Sequence, residues 1–270
     1  MRRMLVTVMA IATAATMTLQ GTAEARQVRP NRAQPRTHAA ARLPHLGTGG
    51  SILFYAPTVG KRDMNEASIA EAMGFDVTIA TKDQWVAMST ADFQAFGAIV
   101  FADPGCKSST RRLDVAEATA ATWSGAIQGN VVVTGTDPVW HLNHGTAPGP
   151  ELLIGNTLNY VSQGDGTGLS VSLSCYYHDA RRHTPVPVLG SIGAFTVRGQ
   201  NHIAGCPNKV VTPDPAHALL TGMTAADLSN WGCSIHEAFD SMPSGFDVVA
   251  QHKKTGLAYI IAGVVGAGYP

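Results

Sequence analysis

The residues best suited to chemistry cluster in Asn130–His144, NVVVTGTDPVWHLNH. Asp137 stands just past a β-branched run and before Pro138. A carboxylate there could act as nucleophile or general base at the carboxyl end of a strand, where open α/β folds bind ligands. It could equally close a turn, because Asp before Pro favours one and the carboxylate can accept nearby backbone N–H groups. Thr136 could serve as nucleophile only with a base in hydrogen-bond reach. His141 and His144, three apart, would share a face of a helical turn and could ligate one metal with Asp137. Ten histidines in the chain also produce such spacings by chance, so no cofactor is expected and these two are the only metal candidates.

Two further groups carry titratable side chains. His178 follows the run SCYY and reaches the same crevice only if its strand neighbours VVVT; Arg181-Arg182 beside it could grip an anion or be a solvated loop. His236-Glu237 follows Cys233 by three residues. The pair reads as a base with an orienting carboxylate, or as two side chains satisfied by local backbone. Trp231 and Phe239 would line an apolar pocket there or pack in the core.

These groups need elements to hold them, and from Ser51 to Ser162 the periodicity alternates strand and helix. SILFYAP, DVTIA, AIVFAD and VVVTG are short, largely apolar runs that read as strands. Asn65 can cap a helix EASIAEAM that stops at Gly74, and Thr90 can cap TADFQAFG. Ser109 or Thr110 can start one long helix, RRLDVAEATAATWSGAI, and ELLIGNTLNYVSQ reads as another. Near-continuous apolar strands alternating with helices predict an α/β fold: a mostly parallel sheet flanked by helices on both faces.

Past Gly164 the pattern changes. GLSVSLSCYYH alternates as a half-exposed strand would, and FTVRG and NKVV are short and broken by Pro, Gly and His. Ala225–Leu228 reads as a helical turn, Phe246–Ala250 and Leu257–Ala262 as closing strands. This half is expected to be an irregular, disulfide-bonded C-terminal elaboration. The four cysteines, Cys106, Cys175, Cys206 and Cys233, include no C-x-x-C pair, which argues against a compact cysteine zinc site. In an exported chain an even count reads as two disulfides. The expected pairing is Cys106–Cys175 and Cys206–Cys233, since the second closes a short local loop.

Export is expected from the front end. Met1–Met4 is basic, Leu5–Leu19 is apolar but short for a bilayer span, and Ala23-Glu24-Ala25 is an A-x-A cleavage pattern. Residues 1–25 therefore read as a signal peptide, leading to secretion or to the periplasm and cell envelope. Residues 26–48, with five arginines, three prolines and no acidic residue, read as a disordered basic linker. Residues 49–270 form one expected domain. Basic and acidic residues balance at 19 each, so no basic footprint points to nucleic acid.

ILFYAP, then FGAIVFADPG, then NVVVTGTDP, and much later His236-Glu237, resemble the class I glutamine amidotransferase-like fold over roughly residues 51–262. The resemblance implies that Asp103-Pro104-Gly105 takes the place of the family's oxyanion loop. Gly135-Thr136-Asp137-Pro138-Val139 stands where the family has a G-x-C-x-G elbow, without its Cys. His236-Glu237 stands near the family's His-x-Glu. Two functions are expected. One is a non-catalytic binding or structural module whose crevice, near Asp103, Asp137 and His236 and with Gly105, Thr136 and His178 as further ligand contacts, takes a small polar ligand or envelope glycan. The other is a hydrolase using Asp137 or Thr136 with His236 and Glu237, which a metal held by His141 and His144 could assist.

Overall fold

The computed structural model describes residues 50–105, 109–146, 148–173 and 176–266. The expected signal peptide, the basic linker and the Cys106–Cys175 pairing lie outside the described residues.

The first half follows the expected alternation. Strand β1 (Ser51–Tyr55) leads to helix α1 (Glu66–Ala72), β2 (Asp76–Ala80), helices α2 (Lys82–Ala87) and α3 (Thr90–Gln94), and β3 (Ala98–Phe101). Asn65 caps α1 in a reciprocal capping box with Ser68, and Gly74, at φ +89°, ends that helix region in a left-handed turn few other residues adopt. Two expectations on this stretch shift. Helix α2, capped by Thr81, was not anticipated, and α3 is capped by Ser89, with Thr90 as its first residue.

The single long helix expected after Ser109 is instead broken into α4 (Asp114–Ala118) and α5 (Ala120–Trp123), flanked by 3-10 turns. The cause is side-chain competition for the ladder. The Trp123 indole N–H donates to the Ala116 carbonyl at 2.7 Å, and the Thr119 hydroxyl donates to that of Val115 at 2.8 Å. Thr119 itself departs from helical dihedrals.

Strand β4 (Ile127–Thr134) then feeds α6 (Pro138–Asn143) and α7 (Gly149–Ser162). β5 (Thr167–Ser172) follows, then β6 (Thr184–Pro185), β7 (Thr196–Gly199), β8 (Val210–Val211), β9 (Glu237–Ser241), β10 (Phe246–His252) and β11 (Ala258–Val264). The main sheet has the order β2-β1-β3-β5-β4-β11-β10-β8, parallel from β2 through β4 and antiparallel beyond. A small antiparallel sheet, β6-β7-β9, forms with the Cys206–Cys233 disulfide the irregular elaboration expected for the C-terminal half. Ala225–Leu228 is a turn.

Both faces of the main sheet are covered, as the apolar strands require. Ile52 and Phe54 face a core completed by α1, α7 and residues such as Leu219 and Ile235. Leu53 and Tyr55 face a second core with Trp85, Phe93, Phe101 and Trp123. Trp85 is the hub of the latter, with ring centroids 4.7 Å from Phe93, 4.8 Å from Tyr55 and 5.5 Å from Phe101.

The polar–apolar alternation around β5 points to a half-exposed strand, yet all six residues of β5 are buried between β3 and β4. Its serines face an interior cavity rather than solvent. Ser170 and Ser172, with Thr134, Thr157 and Glu66, line a space of about 20 Å³ beneath α7. Among the described residues, no helix is long and apolar enough to cross a membrane.

Candidate functional site

Local sequence brings the first two site residues together. Asp137 ends the β4 turn, Pro138 opens α6 with its preset φ, and His141 lies one helical turn on. Residues four apart share a helix face, so the His141 Nε2 comes to 3.0 Å from Asp137 Oδ1. Asp137 occupies the N-cap position without its side chain capping the helix. Its Oδ1 instead faces two imidazoles.

The third residue arrives from far along the chain. Gly135 O accepts from the backbone N–H groups of both His236 and Glu237, at 2.9 and 3.0 Å, which pins the start of β9 against the β4 turn. Only glycine permits this approach, because a Cβ at position 135 would collide with the Glu237 carbonyl oxygen. His236 Nε2 thereby lies 3.0 Å from Asp137 Oδ1, on the same oxygen that faces His141. Both Nε2 atoms also face the carbonyl oxygen of Cys233, at 2.9 Å from His141 and 3.1 Å from His236. The Cys206–Cys233 disulfide holds that carbonyl's residue in place.

His178 completes one wall. It lies in a turn beyond β5 rather than on a strand, and β5 itself neighbours β4. Gln200 N–H, just past β7, donates to the His178 carbonyl at 3.1 Å, and the His178 ring centroid lies 5.3 Å from that of His236. β9 is tied to β7 by the Arg198–Asp240 ion pair.

The resulting cleft has a volume of about 580 Å³, within the range of small-molecule sites. His141, His236 and His178 line it, with Trp140, Trp231 and Gln200. Asp137 is fully buried behind His141 and His236, which are each 5% exposed, and it does not itself line the cleft.

A second layer of acid lies behind Asp137. Asp103, at the end of β3, is fully buried; its N–H donates to Glu66 Oε1 at 2.7 Å, and its Oδ1 accepts from Gly105 N–H at 2.8 Å. Burial, then the charges of Glu66 and Asp137, push the Asp103 carboxyl well above the usual carboxylate range, although the amides of Gly105 and Val139 favour its charged form. Burial raises Glu66 to about 7. Burial also lowers His236, reinforced by the neighbouring His178 and His141 and opposed by Asp137, so the neutral imidazole is favoured.

The other expected site residues fall elsewhere. Thr136 is fully buried and does not line the cleft. The Gly105 amide is engaged by Asp103, its own turn's carboxylate, which sets it apart from an oxyanion donor. Glu237 is fully enclosed and acts on Tyr177 electrostatically, so the carboxylate beside His236 is Asp137 and not its sequence neighbour. His144 is exposed, stacks on Trp140 with ring centroids 3.6 Å apart, and donates its Nδ1–H to the Trp140 carbonyl oxygen at 2.6 Å. It therefore stands outside the Asp137–His141–His236 group. Trp231 lines the cleft and packs in a core, whereas Phe239 only packs.

Glu66, Gln200 and the Cys233 carbonyl were not anticipated. Only Glu66 carried a signal, as an acid in the first turn of a capped helix, and that signal suggests a helix start rather than a site. No protein-family model, curated protein or solved structure matches this chain.

Proposed function

We propose that this chain is an exported binding module of the cell envelope, built on an amidotransferase-like scaffold, whose crevice at Asp137 takes a small polar ligand. The observation that carries this reading is the convergence of His141 and His236, which line a cleft of about 580 Å³, on the buried carboxylate of Asp137 just behind them. Burying a carboxylate with two imidazoles is expensive in a fold that needs only apolar packing there, and such clusters concentrate at functional sites. Binding is favoured over turnover because the Thr136 hydroxyl is buried and the Gly105 amide is engaged.

The test is calorimetric titration of the mature protein with neutral and acidic sugars, amino acids and peptidoglycan fragments. Saturable binding that is lost in Asp137→Asn is expected; a silent panel counts against the reading. Export is tested by N-terminal sequencing of protein recovered outside the cytoplasm, which is expected to begin near Arg26.

A hydrolase is the second reading, favoured by the 3.0 Å separation of Asp137 and His236, within proton-transfer reach. Ester, amide or glycoside hydrolysis abolished by both Asp137→Asn and His236→Ala would establish it and displace the binding module.

A further inference from the structure

We propose that Asp137, His141 and His236 bind one divalent transition-metal ion of the zinc type, with the Cys233 carbonyl oxygen as a fourth donor. The ion occupies the crevice assigned above to a small ligand, so this proposal deepens that reading and shares its site.

The geometry of the four donor atoms carries the assignment. Each of two imidazole Nε2 atoms faces the same two oxygens, at 3.0 and 2.9 Å for His141 and 3.0 and 3.1 Å for His236. One N–H bond is directional and serves one acceptor well. Here both nitrogens face the gap between a carboxylate and a carbonyl, closing a ring of four alternating N and O atoms. Donors bound at about 2.0–2.1 Å to one ion stand about 2.9 Å apart at right angles and about 3.3 Å apart at tetrahedral angles. The four separations fall in the lower part of that interval. The three side-chain donor atoms all lie within 4.8 Å of one another.

The donor chemistry selects the kind of ion. Two imidazoles and a carboxylate suit zinc and its neighbours in the first transition row, whereas calcium and magnesium prefer oxygen alone and cuprous copper prefers sulfur. The two imidazoles line the cleft beside His178 and Gln200, which leaves the ion reachable by water or a small anion.

The experiment uses tag-free mature protein with its disulfide intact, stripped with a chelator and titrated with Zn²⁺ by calorimetry, then with Co²⁺ by visible absorption. One equivalent of Zn²⁺ and a ligand-field spectrum from Co²⁺ are expected. His141→Ala and Asp137→Asn should each weaken Zn²⁺ by more than the roughly 10–100-fold typical of losing an outer-shell partner, while His144→Ala leaves it unchanged. Circular dichroism separates lost binding from lost folding. If His141→Ala unfolds, His141→Gln supplies the same comparison.

Failure of the folded wild type to take up one equivalent overturns the metal site, as does equal weakening by His144→Ala. The binding-module reading is separable from it. Organic ligands that bind the chelator-treated protein without any Zn²⁺ uptake sink the metal alone, whereas Zn²⁺ uptake with no organic ligand sinks only the small polar organic ligand.

Discussion

The parallel half of the molecule and its C-terminal elaboration are held together by different means. The parallel half is laid out by local rules: capped helices, apolar strands in register and an aromatic hub around Trp85. The elaboration has short strands, a disulfide and a partly buried ion pair in place of a large core of its own. The first half contributes Asp137 and His141, and the second contributes His236, His178 and the Cys233 carbonyl. Stability and site geometry are therefore separable, and substitutions in the two halves should affect them differently.

Trp85→Ala is the strongest test of that separation. Removing a fully buried indole should cost about 3–5 kcal/mol in denaturant unfolding. The variant that remains folded should bind at Asp137 as the wild type does; weakened binding would show that the two halves are coupled. Cys206→Ser is the counterpart. Losing the disulfide should cost about 2–4 kcal/mol. Because Cys233 carries the carbonyl between the histidines, binding at Asp137 should fall as well, and unchanged affinity would remove Cys233 from the site.

A third comparison concerns pH. Glu66 is raised from 4.5 to about 7 by burial, so the folded state holds a proton there that the unfolded chain has released. The stability from this proton is fully present below pH 4.5 and is lost as pH rises through about 7. Glu66→Gln keeps a neutral group in place. Relative to that variant, the wild type should lose stability between these limits in unfolding titrations, and parallel pH curves would refute the assignment. The smallest effect should come from Asn65→Ala, which removes the cap of α1 at a cost of about 1 kcal/mol and leaves the site unchanged.

The alternating elements of residues 51–162 were legible because helix and strand periods are local, as are the Asn65 cap and the Gly74 stop. Asp137 at the end of β4 and the Cys206–Cys233 pair were legible for the same reason: strand-end position and loop length are read along the chain. The broken helix after Ser109 was not, because nothing in its period shows that Trp123 will take the Ala116 carbonyl. Nor was the burial of β5, whose serines mimic a solvent face until α7 covers them.

The sequence by itself determined the α/β class, the position of Asp137 at a strand's carboxyl end and its pairing with His141 one helical turn away. Only the tertiary structure decided that His236 rather than His144 or Glu237 completes the group. That choice depends on Gly135 admitting the backbone of β9, a contact between segments a hundred residues apart in order of magnitude, for which no local period leaves a trace.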